Sequence, residues 1–361
     1  MPRPEVHQFL PSLGFRDAVG NHTLGTQRAL TEAGIRGGIW AESFHPEHRR
    51  RARPFIDYPR LRSARRGRNV LLYQASTGSH GMVDFLIGRR ERKLLYYHNV
   101  TPPKFYEPYD PAAAGILERG LTEIRLLCGH VDGAMANSEF SANDLRDFGV
   151  EHVEVFPPYD KALEAEPDRG HSEWLRRTKK GIDVLFVGRL VPNKGHINLL
   201  RSFAALRAGA DAPPRLFVAG TWGHVTYMEA LRRVRDRLGR DGIVFSGSIS
   251  DSVLAAHYRE ADVYLCLSEH EGFCVPLVES MRWQVPVVAY DAGAIAETLG
   301  GAGVLLRTLD PLVVAEVVAR VARDEELRAS IIERQNRRLA ELYAIPRDQI
   351  LLRSVERLFA A

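Results

Sequence analysis

Short apolar runs recur along this chain, each ending in a loop with glycine, proline or small polar residues and followed by a segment of helical spacing. Val6 to Leu10, Gly37 to Ala41, Val70 to Gln74, Lys93 to Tyr97, Val131 to Ala136 and Val153 to Phe156 read as strands of a first half. Ile182 to Val187, Arg215 to Ala219, Ile243 to Ser246, Ala261 to Leu267 and Val285 to Tyr290 read as strands of a second. Between them the 3.6-residue period predicts helices at about 26–33, 111–127, 139–148, 225–238 and 253–260, and others beginning near Ile197 and at Pro276. Three more follow, at about 311–322, 325–343 and 346–359. Strand-helix alternation of this kind is the pattern of an α/β protein with doubly wound parallel sheets. The polar stretch from Pro157 to Lys180 carries no apolar period, so a domain boundary is expected there, giving residues 1–165 and 166–345.

Length agrees with that division: 361 residues suffice for two domains, each able to bury a core. Apolar residues make up 45% and charged residues 26%, ordinary for a globular protein. No run approaches the length of a membrane-spanning helix, and Met1-Pro2-Arg3-Pro4-Glu5 lacks the apolar stretch of a signal peptide, so a cytoplasmic location is expected. Cys128, Cys266 and Cys274 form no metal-ligand spacing along the sequence and cannot all pair, which fits a reduced compartment.

Net charge is +4, with 43 arginines against six lysines. The positive charge clusters from Arg49 to Arg68 and again from Arg89 to Lys93. Such a cluster reads first as a solvated loop and, more sharply, as a patch for anionic lipid or an acidic acceptor. Nucleic acid is disfavoured, because the arginines are not interleaved with base-stacking aromatic residues.

The chemistry concentrates after the strands. Ala261 to Leu267 leads into Ser268-Glu269-His270-Glu271-Gly272-Phe273-Cys274-Val275-Pro276, with Pro276 placed at the first position of a helix. A helix N-terminus at the carboxyl edge of a parallel sheet favours an anion, and the carboxylates of Glu271 and Glu279 are acceptors suited to sugar or ribose hydroxyls beside it. After Ile182 to Val187, Arg189 and Lys194 bracket the loop Gly188-Arg189-Leu190-Val191-Pro192-Asn193-Lys194-Gly195, so two cations can converge on a diphosphate. His98 ends the strand Lys93 to Tyr97 at the ligand edge. The glycine-containing loop up to Gly20, after the first strand, is a further place where backbone N–H groups can approach phosphate.

Glu271, Gly272, Phe273, Pro276 and Glu279, in a strand-loop-helix context, resemble the signature of family 4 retaining glycosyltransferases. Cys274 stands where a small residue, usually glycine, is common in that family. The resemblance implies the GT-B fold, two Rossmann-like doubly wound domains facing a central cleft, with the terminal helix 346–361 returning to the first domain. It implies that Arg189, Lys194 and Gly188 meet the diphosphate, that Glu271 and the amides of Phe273, Cys274, Val275 and Leu277 position the donor sugar, and that Glu279 binds the ribose. It also implies that His98 meets the sugar, that Gly20 faces the donor, and that Ser248 and Ile249 hold the base. No metal or other cofactor is expected. The implied partners are a nucleoside diphosphate sugar and an acceptor hydroxyl on a glycan, a lipid-linked saccharide or a small metabolite.

Other chemistries fit less well. A glycoside hydrolase has no use for two cations at a phosphate site. No Asp-x-Asp pair, Gly-x-Ser-x-Gly elbow or His-Glu-x-x-His run occurs, which disfavours metal-dependent single-domain transferases, serine hydrolases and zincins. A nucleotide-sugar epimerase of the same fold and a non-catalytic nucleotide-sugar-binding subunit remain open.

Overall fold

The computed structural model describes residues 5–15, 17–61, 64, 68–159 and 165–360. Two compact units emerge. One comprises Met1–Pro103, Ala112–Lys161 and Ala344–Ala361; the other comprises Lys104–Pro111 and Ala162–Tyr343.

The first unit holds strands β1 (Val6–Leu13), β2 (Ile39–Phe44), β3 (Ala52–Pro54), β4 (Val70–Ala75), β5 (Arg92–Tyr97), β6 (Gly133–Ala136) and β7 (Val153–Val155). All pair in parallel, in the order β3-β2-β1-β4-β5-β6-β7. Its helices are α1 (Ala18–Glu32), α2 (Met82–Ile87), α3 (Pro111–Cys128) and α4 (Glu139–Asp147). Helix α1 begins eight residues before the expected start. Asp17 accepts a hydrogen bond from the Gly20 N–H at 2.6 Å and caps the helix, so the stretch through Gly20 and Asn21 is its first turn rather than a loop. Ser138 caps α4 by accepting from Ser141 N–H at 3.1 Å.

The second unit carries helix α5 (Arg169–Thr178), then β8 (Asp183–Val187), α6 (His196–Ala208), β9 (Arg215–Ala219), α7 (Val225–Leu238), β10 (Ile243–Gly247) and α8 (Asp251–Glu260). It continues through β11 (Val263–Cys266), α9 (Val275–Arg282), β12 (Val287–Tyr290), α10 (Ile295–Leu299), β13 (Val304–Leu306), α11 (Pro311–Arg323) and α12 (Glu325–Ala344). The sheet is again wholly parallel, in the order β10-β9-β8-β11-β12-β13.

Strand periodicity of two explains how this sheet is covered on both faces. Val184, Phe186, Leu216, Val218, Val263 and Leu265 pack with Leu199, Phe203 and Leu231 of α6 and α7 and with Val314 and Val318 of α11. Their neighbours in sequence, Leu185, Phe217, Tyr264 and Cys266, point the other way, onto Leu175 of α5, Tyr258 of α8 and Leu277 and Met281 of α9.

The last helix, α13 (Arg347–Ala360), contributes Leu351, Val355 and Leu358 to the core of the first unit beside Val70, Leu72 and Leu94 of β4 and β5. Among the described residues no helix is long and apolar enough to cross a membrane.

Candidate functional site

In the second sheet the strand order reverses direction of travel between β8 and β11, and ligands of doubly wound sheets bind at such a switch point, beyond the carboxyl ends of the strands. Lys194 lies in the loop after β8 and Glu271 in the loop after β11. The structure joins them: Lys194 Nζ donates to Glu271 Oε1 at 2.6 Å and to Oε2 at 2.8 Å. Glu271 is buried and Lys194 one-fifth exposed. Burial by itself disfavours a charged Lys194, but the Glu271 carboxylate beside it more than offsets this and holds its pKa above the usual lysine value. The site therefore keeps a fixed cation.

Backbone contacts lock the two loops together. Glu269 N–H donates to Asn193 O at 2.8 Å and Asn193 Nδ2 returns to His270 O at 3.1 Å. Gly195 has φ of 66°, and a Cβ there would lie 1.9 Å from Leu267 O, so only glycine lets the Lys194 turn approach this strand end. On the far side Ala294 N–H donates to Glu271 O at 2.9 Å.

Helix α9 opens one residue earlier than expected, at Val275, so that Pro276 occupies its second position. Cys274 precedes it in the left-handed conformation, φ 70°. Pro276 brings no N–H, and that of Leu277 goes to Cys274 O at 3.1 Å. The amides of Phe273, Cys274 and Val275 stand at this helix end, where backbone N–H groups without an intrahelical partner can receive an anion. Glu279, one turn into α9 and half-buried, accepts from the Tyr258 hydroxyl at 2.7 Å.

Arg189 is exposed in the loop after β8. Gly188 N–H is committed to Ala219 O at 2.9 Å, and the close approach of the two loops falls on Gly220, where a Cβ would lie 1.8 Å from Gly188 O. Burial raises the pKa of the Tyr106 phenol, and the positive charges of Arg189 and Lys194 act against that rise. Tyr106 belongs to the segment Lys104–Pro111, which falls within the second unit, and its neighbour Phe105 lies 6.3 Å from the His270 ring. Sequence reading did not single out Tyr106, Tyr258 or Asn193; a segment from the first half of the chain placed on the second unit leaves no local signal. Ser248 is exposed and Ile249 half-buried in the loop after β10.

In the first unit a chain of hydrogen bonds sets the state of His98. Gln8 Nε2 donates to Thr23 O at 3.0 Å, Gln74 Nε2 donates to Gln8 Oε1 at 2.9 Å, and Gln74 Oε1 is left to accept from His98 Nε2 at 2.9 Å. Burial pushes the His98 pKa down to about 3, so the ring is neutral, with its proton on Nε2 and an acceptor at Nδ1. His22, which sequence reading passed over, lies edge-on to it at 4.9 Å. Gly20 N–H is taken by Asp17, as described above.

With this geometry in view, comparison with known proteins defines the class. Residues 171–338, which lie within the second unit, match the model of the family described as glycosyl transferases group 1. Across 99% of both chains the structure resembles a sucrose-phosphate synthase from Thermosynechococcus elongatus, with a TM-score of 0.76 at 18% identity. It resembles the Anabaena protein HepE in complex with UDP-glucose at a TM-score of 0.74 and 16% identity, over 99% of this chain and 100% of that one. The fold is of the GT-B type, with two Rossmann-like parallel-sheet domains.

Among curated proteins, an MMP alpha-(1->4)-mannosyltransferase of Mycolicibacterium hassiacum is 34% identical over 193 residues, 52% of this chain and 43% of that protein. A D-inositol 3-phosphate glycosyltransferase of Acidothermus cellulolyticus is 31% identical over 216 residues, 56% of this chain and 48% of that protein. The chain thus spans a little under half the length of these relatives.

Proposed function

We propose that this protein transfers a hexose-type unit from a nucleoside diphosphate sugar to an acceptor hydroxyl, with retention of configuration and without a metal ion. The observation that carries this reading is the Lys194–Glu271 pair at the switch point of the second sheet, with Arg189 exposed on the same loop as Lys194. Before a donor arrives, the carboxylate holds the ammonium in position. The arriving diphosphate takes up Lys194, and Glu271 becomes free to accept from a sugar hydroxyl.

As the bond from sugar to phosphate breaks, negative charge grows on the departing oxygen. Lys194, Arg189 and the amides at the start of α9 stabilise that charge more than they stabilise the intact donor, which is the requirement for catalysis. No side chain is assigned as a covalent nucleophile. The leaving phosphate accepts the proton of the acceptor hydroxyl on the face from which it departs, which gives retention. Glu279 holds the ribose, Ser248 and Ile249 the base, and His98 accepts from a sugar hydroxyl through Nδ1.

The acceptor is a glycan, a lipid-linked saccharide or a small metabolite, met in the cytoplasm. Arg49, Arg50, Arg51 and Arg53 are exposed and suit peripheral contact with an anionic membrane surface; Arg62, Arg65 and Arg66 of the same cluster lie outside the described residues.

A panel of UDP- and GDP-linked sugars, scored by thermal shift and then by product anomeric configuration, tests this reading. A cognate donor at a hundred times its dissociation constant adds about 2.7 kcal/mol of stability. A panel in which no nucleotide sugar stabilises the protein, or a product of inverted configuration, overturns it.

A further inference from the structure

The sequence spacing of the cysteines excludes the usual metal motifs, yet the fold brings two of them together beside the phosphate loop. Cys266 Sγ, at the end of β11, lies 4.0 Å from Cys274 Sγ, in front of α9. Both sulfur atoms and a Glu271 carboxylate oxygen fall within 4.8 Å of one another, and all three residues are buried. We propose that Cys266, Cys274 and Glu271 form a binding site for a soft divalent cation of the zinc or cadmium class, and that such an ion inhibits the protein by competing with Lys194 for Glu271.

Geometry supports the assignment first. Two sulfur ligands at about 2.3 Å from a tetrahedral zinc ion are separated by about 3.8 Å, close to the separation seen. A carboxylate oxygen completes a Cys2Glu set, and Ser268 Oγ, 3.4 Å from Cys266 Sγ, stands within reach of the fourth position. Thiolate ligands select zinc or cadmium over magnesium, calcium or manganese.

Charge supports it independently. Two thiolates and a carboxylate carry three negative charges; a divalent cation and the Lys194 ammonium carry three positive ones. Uptake of the ion with release of both thiol protons therefore leaves this buried cluster neutral, as it is with two thiols and the Lys194–Glu271 pair. Backbone shape points the same way. Cys274 adopts φ of 70°, a conformation costly for a residue with a Cβ and free for glycine, so the chain keeps a thiol there against a local preference.

The site rests on the ligand positions alone. The inhibition rests in addition on the role proposed for Glu271, and one experiment separates the two. The reduced, chelator-treated full chain is titrated with Cd2+ and, in parallel, with Co2+. Absorption is followed for thiolate-to-metal charge transfer, and proton release and sugar transfer are followed in the same samples. The expected result is one equivalent bound, two protons released, a charge-transfer band, and loss of most of the transfer rate, reversed by chelator.

Cys266→Ala, which removes one ligand outside the transfer machinery, is expected to lose the band and to escape inhibition. Should that variant fail to fold, the Co2+ spectrum of the unaltered protein still reports whether two sulfur ligands are bound. Absence of a band in the unaltered protein, a band that persists in a folded Cys266→Ala, or conversion of the pair to a disulfide without metal uptake overturns the proposal. A band with undiminished transfer supports the metal site and overturns instead the assignment of Glu271 to the donor sugar.

Discussion

Tyr258, wholly buried on α8, donates its hydroxyl hydrogen to Glu279 at 2.7 Å and so fixes the carboxylate proposed to hold the donor ribose. Tyr258→Phe removes this hydrogen bond and little volume. Losing an acceptor's orienting partner is worth about 1 kcal/mol, so KM for the donor is expected to rise roughly fivefold with kcat nearly unchanged. Steady-state kinetics on both parameters checks it; a fall confined to kcat contradicts a ground-state binding role.

Lys194→Ala leaves the buried Glu271 carboxylate without its cation. Two losses are expected together: turnover falls by a factor of about a hundred or more, and unfolding free energy drops by about 1–3 kcal/mol. Lys194→Ala combined with Glu271→Gln should recover most of the stability and none of the turnover. Urea melts alongside single-turnover rates check this, and a double variant as unstable as the single one contradicts it.

Gly195→Ala places a methyl group 1.9 Å from Leu267 O and forces a left-handed φ of 66° on a residue with a Cβ. The turn carrying Lys194 has to shift, at a cost of about 1–3 kcal/mol, and the Lys194–Glu271 pair is expected to lengthen. Differential scanning calorimetry of the variant, with a structure of the loop, checks it. An unchanged melting temperature means that the turn has slack.

Acid pH provides a further test. His257 is buried against Phe217, with its Nε2 3.1 Å from that of His171; burial first, then His171 and Arg215, lower its pKa to about 4. An unfolded histidine titrates near 6.5. As pH falls, the unfolded chain takes up the proton before the folded one, so stability is full above about pH 6.5 and declines toward pH 4. The decline from this group is of order 3 kcal/mol. Stability curves between pH 7.5 and 4 should be shallower for His257→Asn than for the unaltered protein; parallel curves contradict it.

The second sheet was largely legible because its strands are continuous apolar runs, and strands buried on both faces read that way. Arg215–Ala219 and Val225–Leu238 match their expected bounds. Helix α5 was missed for the converse reason. Arg169–Thr178 buries only Ser172 and Leu175, too narrow a stripe to show a period, and its one local sign is Asp168 accepting from His171 N–H. The start of α1 was hidden by Gly20 and Asn21, weak helix formers whose conformation Asp17 decides. Strand β3 was invisible because three residues, two of them exposed, pair at the edge of a sheet inside an arginine-rich stretch.

Site chemistry divides in the same way. Glu271, Glu279, Arg189 and Lys194 stood out by residue type and by position after a strand. Their partners did not: Tyr258 and Asn193 have no motif, and the Lys194–Glu271 pair spans 77 positions. The approach of Cys266 to Cys274 depends on the turn between β11 and α9, which eight positions of sequence do not specify.

The placement of α13 sets an order of events during synthesis. Ile350, Leu351, Val355 and Leu358 complete an apolar layer whose other members, from Val6 to Tyr159, all belong to the first half of the chain. A ribosome that has released all seven strands of that layer's sheet has not yet made the side chains that seal it. The early half of the polypeptide must therefore wait, with part of its oily surface uncovered, until the second unit has been translated as well.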